Sequence, residues 1–373
     1  MEFQRLLAGF GRGHRGADIR RRRHMTLMEW DIAMTFVARL AALLIVAFAL
    51  CSSSSAQPRR THNVPKTAPG IPSESQIRDR LNYWAIGLAG GLLEGAPIRL
   101  ATDIARAVND GGDMHVLPIV TRGPTENVND LLYLKGVDAA IINSDSLEEY
   151  KSQVPQIQQR ISYILNLFPS ELHVFVRPEI RSLQDLAGKK VNFNTQGTAA
   201  AYSGPLIFSR LGLDVEKMFI PHPVALEQLR RGEIAGVVFV TSKPVDAFLK
   251  GKWEAGFKFL PVDYGSKFED YYLPSYLDST DYPNLVAKGE RVATIAVPTI
   301  LAAYNWRPGS DRYRRVARFV DDLFSRVDKL QAPGFDAKWK DINLSTRVPG
   351  LERFRAAQEW LDRSNIAKRS EPR

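Results

Sequence analysis

From residue 81 onward, short apolar and β-branched runs alternate with stretches whose apolar positions recur every three to four residues. The first pattern is that of buried strands and the second that of helices with one face on a core. Residues 81–88 (LNYWAIGL) predict a strand. Residues 97–108 (PIRLATDIARAV) predict a helix, with Ile98, Leu100, Ile104 and Ala105 as its apolar stripe and Pro97 in its first turn. Strands are predicted over 114–121 and 137–143, and helices over 127–134 and 145–151. This βαβαβα order implies a parallel sheet covered by helices. Runs over 161–168 and 172–177 complete this first lobe and lead out of it.

The pattern then restarts. A short helix at 182–186 precedes strands at 190–194, 218–221, 234–241 and 257–262, separated by helices at 198–211, 224–231 and 245–250. Residues 263–289 are Tyr- and Pro-rich and irregular. Beyond them 292–297 is strand-like, 299–306 is apolar, and 310–330 forms a long amphipathic helix. The expected fold is therefore α/β with two lobes of parallel-rich sheet covered by helices. Two strand-like crossings, near 174–177 and 291–297, form the hinge. Lobe 1 spans 77–176 plus 290–363 and lobe 2 spans 177–289, with a disordered leader at 57–76 and a disordered tail at 364–373. Trp339 and the stripe Leu351, Phe354, Trp360 and Leu361 read as core packing.

The N-terminus changes this picture by adding a destination. Residues 34–50 (MTFVARLAALLIVAFAL) hold an apolar run of signal-peptide length, shorter than the ~20 residues of a membrane span. Small residues at Ser54 and Ala56 predict cleavage after Ala56, so that 1–56 comprise a signal peptide and an upstream extension. An uncleaved anchor and lipidation of Cys51 are the alternatives, and Met25, Met28 and Met34 are alternative starts. Cleavage at Ala56 removes the one cysteine of the chain, which excludes disulfides and thiolate metal sites from the mature protein. The full chain carries a formal charge of +9, of which eight Arg against four acids lie in 1–56. The remainder is spread without a basic run, which argues against nucleic acid as a partner. The expected localisation is periplasmic.

Three loops place Gly or small polar residues after a predicted strand and before a helix: 87–95, 121–127 and 194–198. In an open parallel sheet, ligands collect at the carboxyl ends of strands. There, helix N-termini offer unpaired N–H groups and favour anions. The candidate ligand-binding residues are Gly90, Gly91 and Leu92, then Arg122, Gly123 and Asn127, then Ser144 and Asp145 after the third strand. In lobe 2 they are Gln196, Gly197, Thr198 and Lys243. Each loop also fits an ordinary capped turn, and Asp145 also fits a helix cap. Arg122 and Lys243 have the charge to hold a carboxylate. The G-x-S-x-G, H-E-x-x-H and Walker patterns are missing from the sequence, and the His residues are scattered. No catalytic residue, metal or cofactor is expected.

Four stretches carry a family resemblance: VLPIVTRGPTENVNDLLYLKGVDAAIINSDSLE (116–148), LAGKKVNFNTQGTAAAYSGPLIFSRLGL (186–213), LRRGEIAGVVFVTSKPVDAF (229–248) and YPNLVAKGERVATIAVPTILAAYNW (282–306). With them the chain resembles the TAXI solute receptors of TRAP transporters, which have the type II periplasmic binding protein fold. Gly123, Asn127, Gly136, Asp138, Ser144 and Asp145 stand at the family spacing, and Gly197-Thr198 stands where the family has its lobe 2 ligand loop. The resemblance implies a non-enzymatic receptor for a small organic acid or amino acid, glutamate- or α-ketoglutarate-like, serving TRAP permease membrane subunits. Many members carry Gly-Thr-Tyr in the first glycine loop, where this chain has Gly91-Leu92-Leu93. Two other classes fit the same residues. One is an exported lyase or dehydratase using Glu126 or Asp145, and the other is a ligand sensor for a membrane kinase.

Overall fold

The computed structural model describes residues 72–370 apart from positions 94, 110 and 111, with the side chains of 366–370 also left aside. The export segment at 1–56 and the leader up to position 71 lie outside the described residues.

The chain enters through α1 (Glu74–Tyr83). Ser73 and Gln76 cap each other's backbone there, so a helix occupies the end of the expected leader and the first residues of the expected strand. Lobe 1 then alternates β1 (Ala85–Ala89), α2 (Ala96–Val108), β2 (His115–Ile119), α3 (Pro124–Tyr133) and β3 (Ala139–Asn143). A 3-10 turn over Ser144–Tyr150 takes the place of the expected helix, and α4 (Ile157–Arg160) follows. On α2, Ile98, Ala101, Ile104, Ala105 and Val108 are buried, which is the stripe spacing of a helix lying on a sheet. Asn109 finishes it by pairing both its amide atoms with the backbone of Val116, at 2.7 and 3.1 Å, so the helix end is tied to β2.

The expected runs 161–168 and 172–177 form one strand, β4 (Ile161–Val176). Lobe 2 contains β5 (Lys190–Asn192), α5 (Ala199–Leu211), β6 (Glu216–Met218), α6 (His222–Arg231), β7 (Gly236–Thr241), α7 (Asp246–Leu249), β8 (Lys258–Phe259) and β9 (Leu273–Asp278). The chain returns through β10 (Arg291–Tyr304) and ends in α8 (Asp311–Phe324), α9 (Val327–Leu330) and α10 (Arg355–Ser370). The last helix continues past 363 into the expected tail, through a stretch with no Gly or Pro to stop it.

Strand order runs β2-β1-β3-β10-β4-β7-β5-β6, with β8 beside β4 and β9 beside β10. β1 pairs in parallel with β2 and β3, and β5 in parallel with β6 and β7, whereas β4 and β10 are antiparallel to their partners. The two long strands belong to both lobes. β4 pairs with β10 up to Glu171 and with β7 from Glu171 onward. β10 pairs with β9 up to Ala296 and with β4 and β3 beyond it. Leu172, Val174, Val176, Ile295 and Val297 accordingly pack in the lobe 2 core, and the crossing lies earlier on β4 and later on β10 than the sequence suggests. At the crossing Pro169 faces Pro298 in the ladder, so neither strand has an N–H at that step. This is a two-lobed α/β architecture in which two long strands are shared between the lobes.

The tail packs as expected. Trp339 and Phe354 are fully buried in lobe 1, and the Trp339 indole donates to Asp103 at 3.2 Å. Asn127 fastens the strand ends of the same lobe. Its amide donates to the carbonyls of Gly90 (2.9 Å) and Ile141 (2.7 Å), and its oxygen accepts from the Thr121 hydroxyl (2.6 Å). Replacing it with Leu strands two carbonyls and a hydroxyl in a buried place. Asn127→Leu is expected to cost about 3 kcal/mol in urea unfolding, and a loss under about 1 kcal/mol would show the tie to be dispensable.

Candidate functional site

The carboxyl ends of the strands in both lobes open onto one cleft of about 870 Å³. Lobe 1 contributes the β1–α2 loop (Leu92, Leu93, Gly95), Arg99 on α2, Val120 after β2, and Lys338 from the C-terminal segment. Lobe 2 contributes Asn194, Thr195 and Thr198 after β5, the start of α6 at Pro221-His222-Pro223, and the β7 end from Phe239 to Ser242. The volume is that of a small-molecule site. A smaller recess of about 410 Å³ is lined by lobe 2 residues alone, Arg181 and Lys267 among them, and takes nothing from lobe 1.

Local sequence explains why helices start at the cleft. Gly95 precedes α2 with Pro97 in its first turn, Thr198 caps α5 by accepting from the Ala201 N–H, and Pro221 precedes α6. Three helix N-termini of at least ten residues each thus meet the cavity, and each favours negative charge. The charged side chains are few. Arg99 lies 3.2 Å from Asp336, and Asp246 lies 2.8 Å from Lys250. Lys338 has no carboxylate partner among the described residues, and its ammonium lies over the Phe168 ring at 5.9 Å. Burial pushes the His222 imidazole down to about 4, so the ring is neutral at pH 7. It stacks on Phe239 with ring centroids 3.4 Å apart, and Nε2 meets the Val238 carbonyl at 3.0 Å.

Two contacts join the lobes beside the cleft. In the first, Gly123 of lobe 1 lies against Gly197 and Thr198 of lobe 2. A side chain on Gly123 would stand 2.5 Å from the Gly197 carbonyl oxygen, and one on Gly197 would stand 2.9 Å from Arg122 Cβ. Gly123 has φ 137° and ψ −161°, a region that only glycine enters without strain. In the second, the turn after β3 meets the Tyr271-Tyr272 pair of lobe 2. Tyr272 donates its hydroxyl to Asp145 at 2.9 Å, and Tyr271 donates to Glu148 at 2.7 Å. Arg210 of α5 holds Asp270 through both carboxylate oxygens, at 2.6 and 2.9 Å, and lies over the Tyr272 ring. Asp145 is fully buried, and burial raises its carboxyl to about 6 against the pull of the Ser203 and Tyr272 hydroxyls and the Arg210 charge. The Ser203 hydroxyl faces this carboxylate without a well-formed bond, and Oδ1 is left unpartnered.

The expected site residues therefore separate. Leu92 and Thr198 line the cleft. Gly90 and Gly91 sit behind the first wall, with their carbonyls bound to Asn127 and to the Thr121 N–H. Asn127 is spent on the strand ends. Gly123 and Gly197 form the first lobe contact, with Arg122 at its edge. Arg122 pairs with Glu126 at 3.4 Å, and Gln196 is exposed. Ser144 and Asp145 belong to the second contact, Ser144 through a 3.4 Å bond to the Tyr271 carbonyl. Lys243 does not line the cleft. Its ammonium is held by Asp281 (2.8 Å) and the Tyr276 carbonyl (2.7 Å). Neither Glu126 nor Asp145 lines the cleft. Among the described residues no group of three or more His, Cys, Asp or Glu side chains is placed to hold a metal ion.

Sequence reasoning passed over Arg99, Lys338, His222, Phe239, Thr241 and Ser242. The α6 start had a usable signal, a strand–turn–helix junction like the others, but with Pro in place of Gly. Arg99 and Lys338 had none, since one reads as the polar face of a helix and the other lies in the distant tail.

Two measurements follow from the lobe contacts. Gly123→Ala places a methyl against the Gly197 carbonyl and is expected to hold the lobes apart. The radius of gyration in small-angle scattering rises, and solute affinity falls about fivefold or more for a misfit of about 1–3 kcal/mol. An unchanged radius and affinity would show the contact to be loose. Asp145 sets a pH dependence. Its folded carboxyl is raised to about 6 from 3.8, so the folded state takes up the proton first as pH falls. The burial penalty is present in full above pH 6 and is relieved on descending toward 3.8. Asp145→Asn, which mimics the neutral form, is expected to be more stable than the parent at pH 7 by on the order of 3 kcal/mol, with the gap closing by pH 4. Parallel thermal melts across that window check this, and a gap independent of pH refutes it.

Among solved structures, a mutant of the arginine-binding protein ArgBP from T. maritima is 14% identical. The match covers 71% of this chain and 96% of that one, at a TM-score of 0.40. The substrate-binding protein of an amino acid ABC transporter is 13% identical, covering 69% and 97%, at 0.40. An ancestral arginine-binding protein bound to arginine is 17% identical, covering 69% and 96%, at 0.38. Among the described residues no helix is long and apolar enough to cross a membrane. The model of the NMT1-like family matches residues 97–332, more than half of the chain, including the whole of lobe 2 and most of lobe 1, and the protein belongs to that family.

Proposed function

We propose that the protein is an exported, extracytoplasmic receptor that captures a small carboxylate-bearing solute by closing its two lobes and passes it to a TRAP-type, ion-gradient-driven permease. One observation carries the reading: the 870 Å³ cleft takes walls from both lobes, and the chain passes between the lobes in two strands, β4 and β10, that cross at Pro169 and Pro298. A solute touching both walls favours the closed state over the open one, and that differential affinity gives selectivity. The three helix N-termini and Lys338 support an anion in the cleft. In this reading Leu92, Thr198, Arg99 and Lys338 touch the solute. Gly90 and Gly91 hold the wall behind it, and Gly123, Gly197, Ser144 and Asp145 join the lobes. The TRAP permease as partner rests on the family resemblance of the four stretches. The periplasmic destination rests on the apolar run at 34–50 and the Ala56 site.

Thermal melting in the presence of organic acids, amino acids and sugars tests the receptor reading. A true solute at about 100 times its Kd adds about 2.7 kcal/mol of stability. For a protein of this size that is a rise of several degrees. The acid is recovered unchanged afterwards. The reading fails if no acid raises the melting temperature or if the bound acid is consumed. The transport step is tested in vesicles carrying a TRAP-type permease, where uptake needs both the receptor and an imposed ion gradient. Uptake indifferent to the receptor excludes that partner.

A further inference from the structure

We infer that the solute is a monocarboxylate with an apolar body and no charged amine, and not a dicarboxylate or an amino acid. The inference rests on the receptor reading and narrows it. Three observations carry it. The first is an exposed apolar wall on lobe 1, where Leu92, Leu93 and Val120 are 43%, 73% and 51% exposed and all line the cleft. Large apolar side chains gathered at one concave site mark a surface that meets an apolar partner. The second is the facing wall of lobe 2, where the neutral His222 ring stacks on Phe239 beside Val240 and Val245. The two walls enclose a space that a hydrocarbon or aryl body fills.

The third is the count of charges. Arg99 is matched by Asp336 and Asp246 by Lys250, which leaves Lys338 as the cation lining the cleft without a carboxylate partner among the described residues. One cation and the helix N-termini accommodate one carboxylate. A second carboxylate of a dicarboxylic acid would lie against Leu92, Leu93 and Val120, where it loses hydration with no partner. The ammonium of an amino acid would need an acid, and among the described residues the one acid lining the cleft, Asp246, is already bound to Lys250. The Asn194 amide and the hydroxyls of Thr195, Thr198, Thr241 and Ser242 are neutral, and they suit a 2-oxo or 2-hydroxy group beside the carboxylate.

Isothermal titration of the purified protein compares phenylpyruvate, 4-methyl-2-oxopentanoate and hexanoate with 2-oxoglutarate, glutamate and leucine. The apolar monocarboxylates are expected to bind at least about tenfold tighter, with the negative heat-capacity change that apolar burial produces. Leu93→Asn, at a solvent-facing position that leaves the core intact, is expected to weaken the apolar acids about tenfold. Lys338→Gln is expected to weaken every acid about tenfold or more. Tighter binding of 2-oxoglutarate, glutamate or leucine overturns the inference and leaves the receptor reading standing. So does a Leu93→Asn protein that binds phenylpyruvate and hexanoate unchanged. Failure of all six compounds to bind the folded protein overturns the inference together with the carboxylate-receptor reading beneath it.

Discussion

The ladder between β4 and β10 is the constraint on which both lobes depend. Among the described residues these are the two longest strands, and each leaves one lobe's core to enter the other's. Where they cross, backbone pairing is thinned because Pro169 faces Pro298, and side chains take over. The Ser170 and Thr299 hydroxyls meet at 2.7 Å, and Thr294 donates to the Leu172 carbonyl at 2.6 Å. Two strands joined in this way bend more readily than a continuous sheet, because each missing N–H removes a link that bending would otherwise break. The same point buries Glu171, whose carboxyl burial pushes up to about 7 while the Lys243 N–H, the Lys243 charge and its own backbone pull it down. Its carbonyl meets Nδ1 of His173 at 2.9 Å, and Nε2 of that ring meets the Tyr282 hydroxyl at 2.7 Å. The crossing is thus loose along the backbone and well packed in its side chains.

Two chemically different surfaces meet between the lobes. Gly123 and Gly197 allow backbone to touch backbone with no side chain between, so that contact depends on shape. The Asp145–Tyr272 and Glu148–Tyr271 contacts are polar and largely buried, and they keep their geometry only while each hydroxyl has its carboxylate. The cleft lies beside both. Its walls are largely apolar, its charges few, and its helix ends supply diffuse positive potential in place of a cluster of cations. Under the proposed receptor reading, such a site orients one anionic group and selects the rest of the solute by fit.

Much of the architecture was legible in one sequence. Hydrophobic periodicity placed α2, β3, α5, β7 and the two lobes, because burial on a sheet forces that periodicity whatever lies opposite. The strand–loop–helix junctions pointed to strand ends that open onto the cleft. The misreadings have local causes. Leu81 and Tyr83 looked like strand because they are bulky, yet the Ser73–Gln76 capping box makes them the end of α1. Pro169 divided β4 into two apparent runs, since proline commonly ends a strand and here stands where the lobe changes.

The folding class, the repeat of the lobes and the glycines at the strand ends belong to local pattern, and the chain alone is enough to read them. The roles of particular residues were decided only by the assembled fold. Asn127, Ser144 and Asp145 carry the marks of ligand groups in the chain, yet in three dimensions their polar atoms go to strand ends and to the other lobe. Lys243 is likewise held by Asp281. Arg99 and Lys338 stand 239 positions apart and share a wall because the C-terminal segment returns to lobe 1. The reason is physical. Burial periodicity is written locally, residue by residue, whereas a polar side chain takes its role from whichever partners the rest of the chain brings within about 3 Å of it.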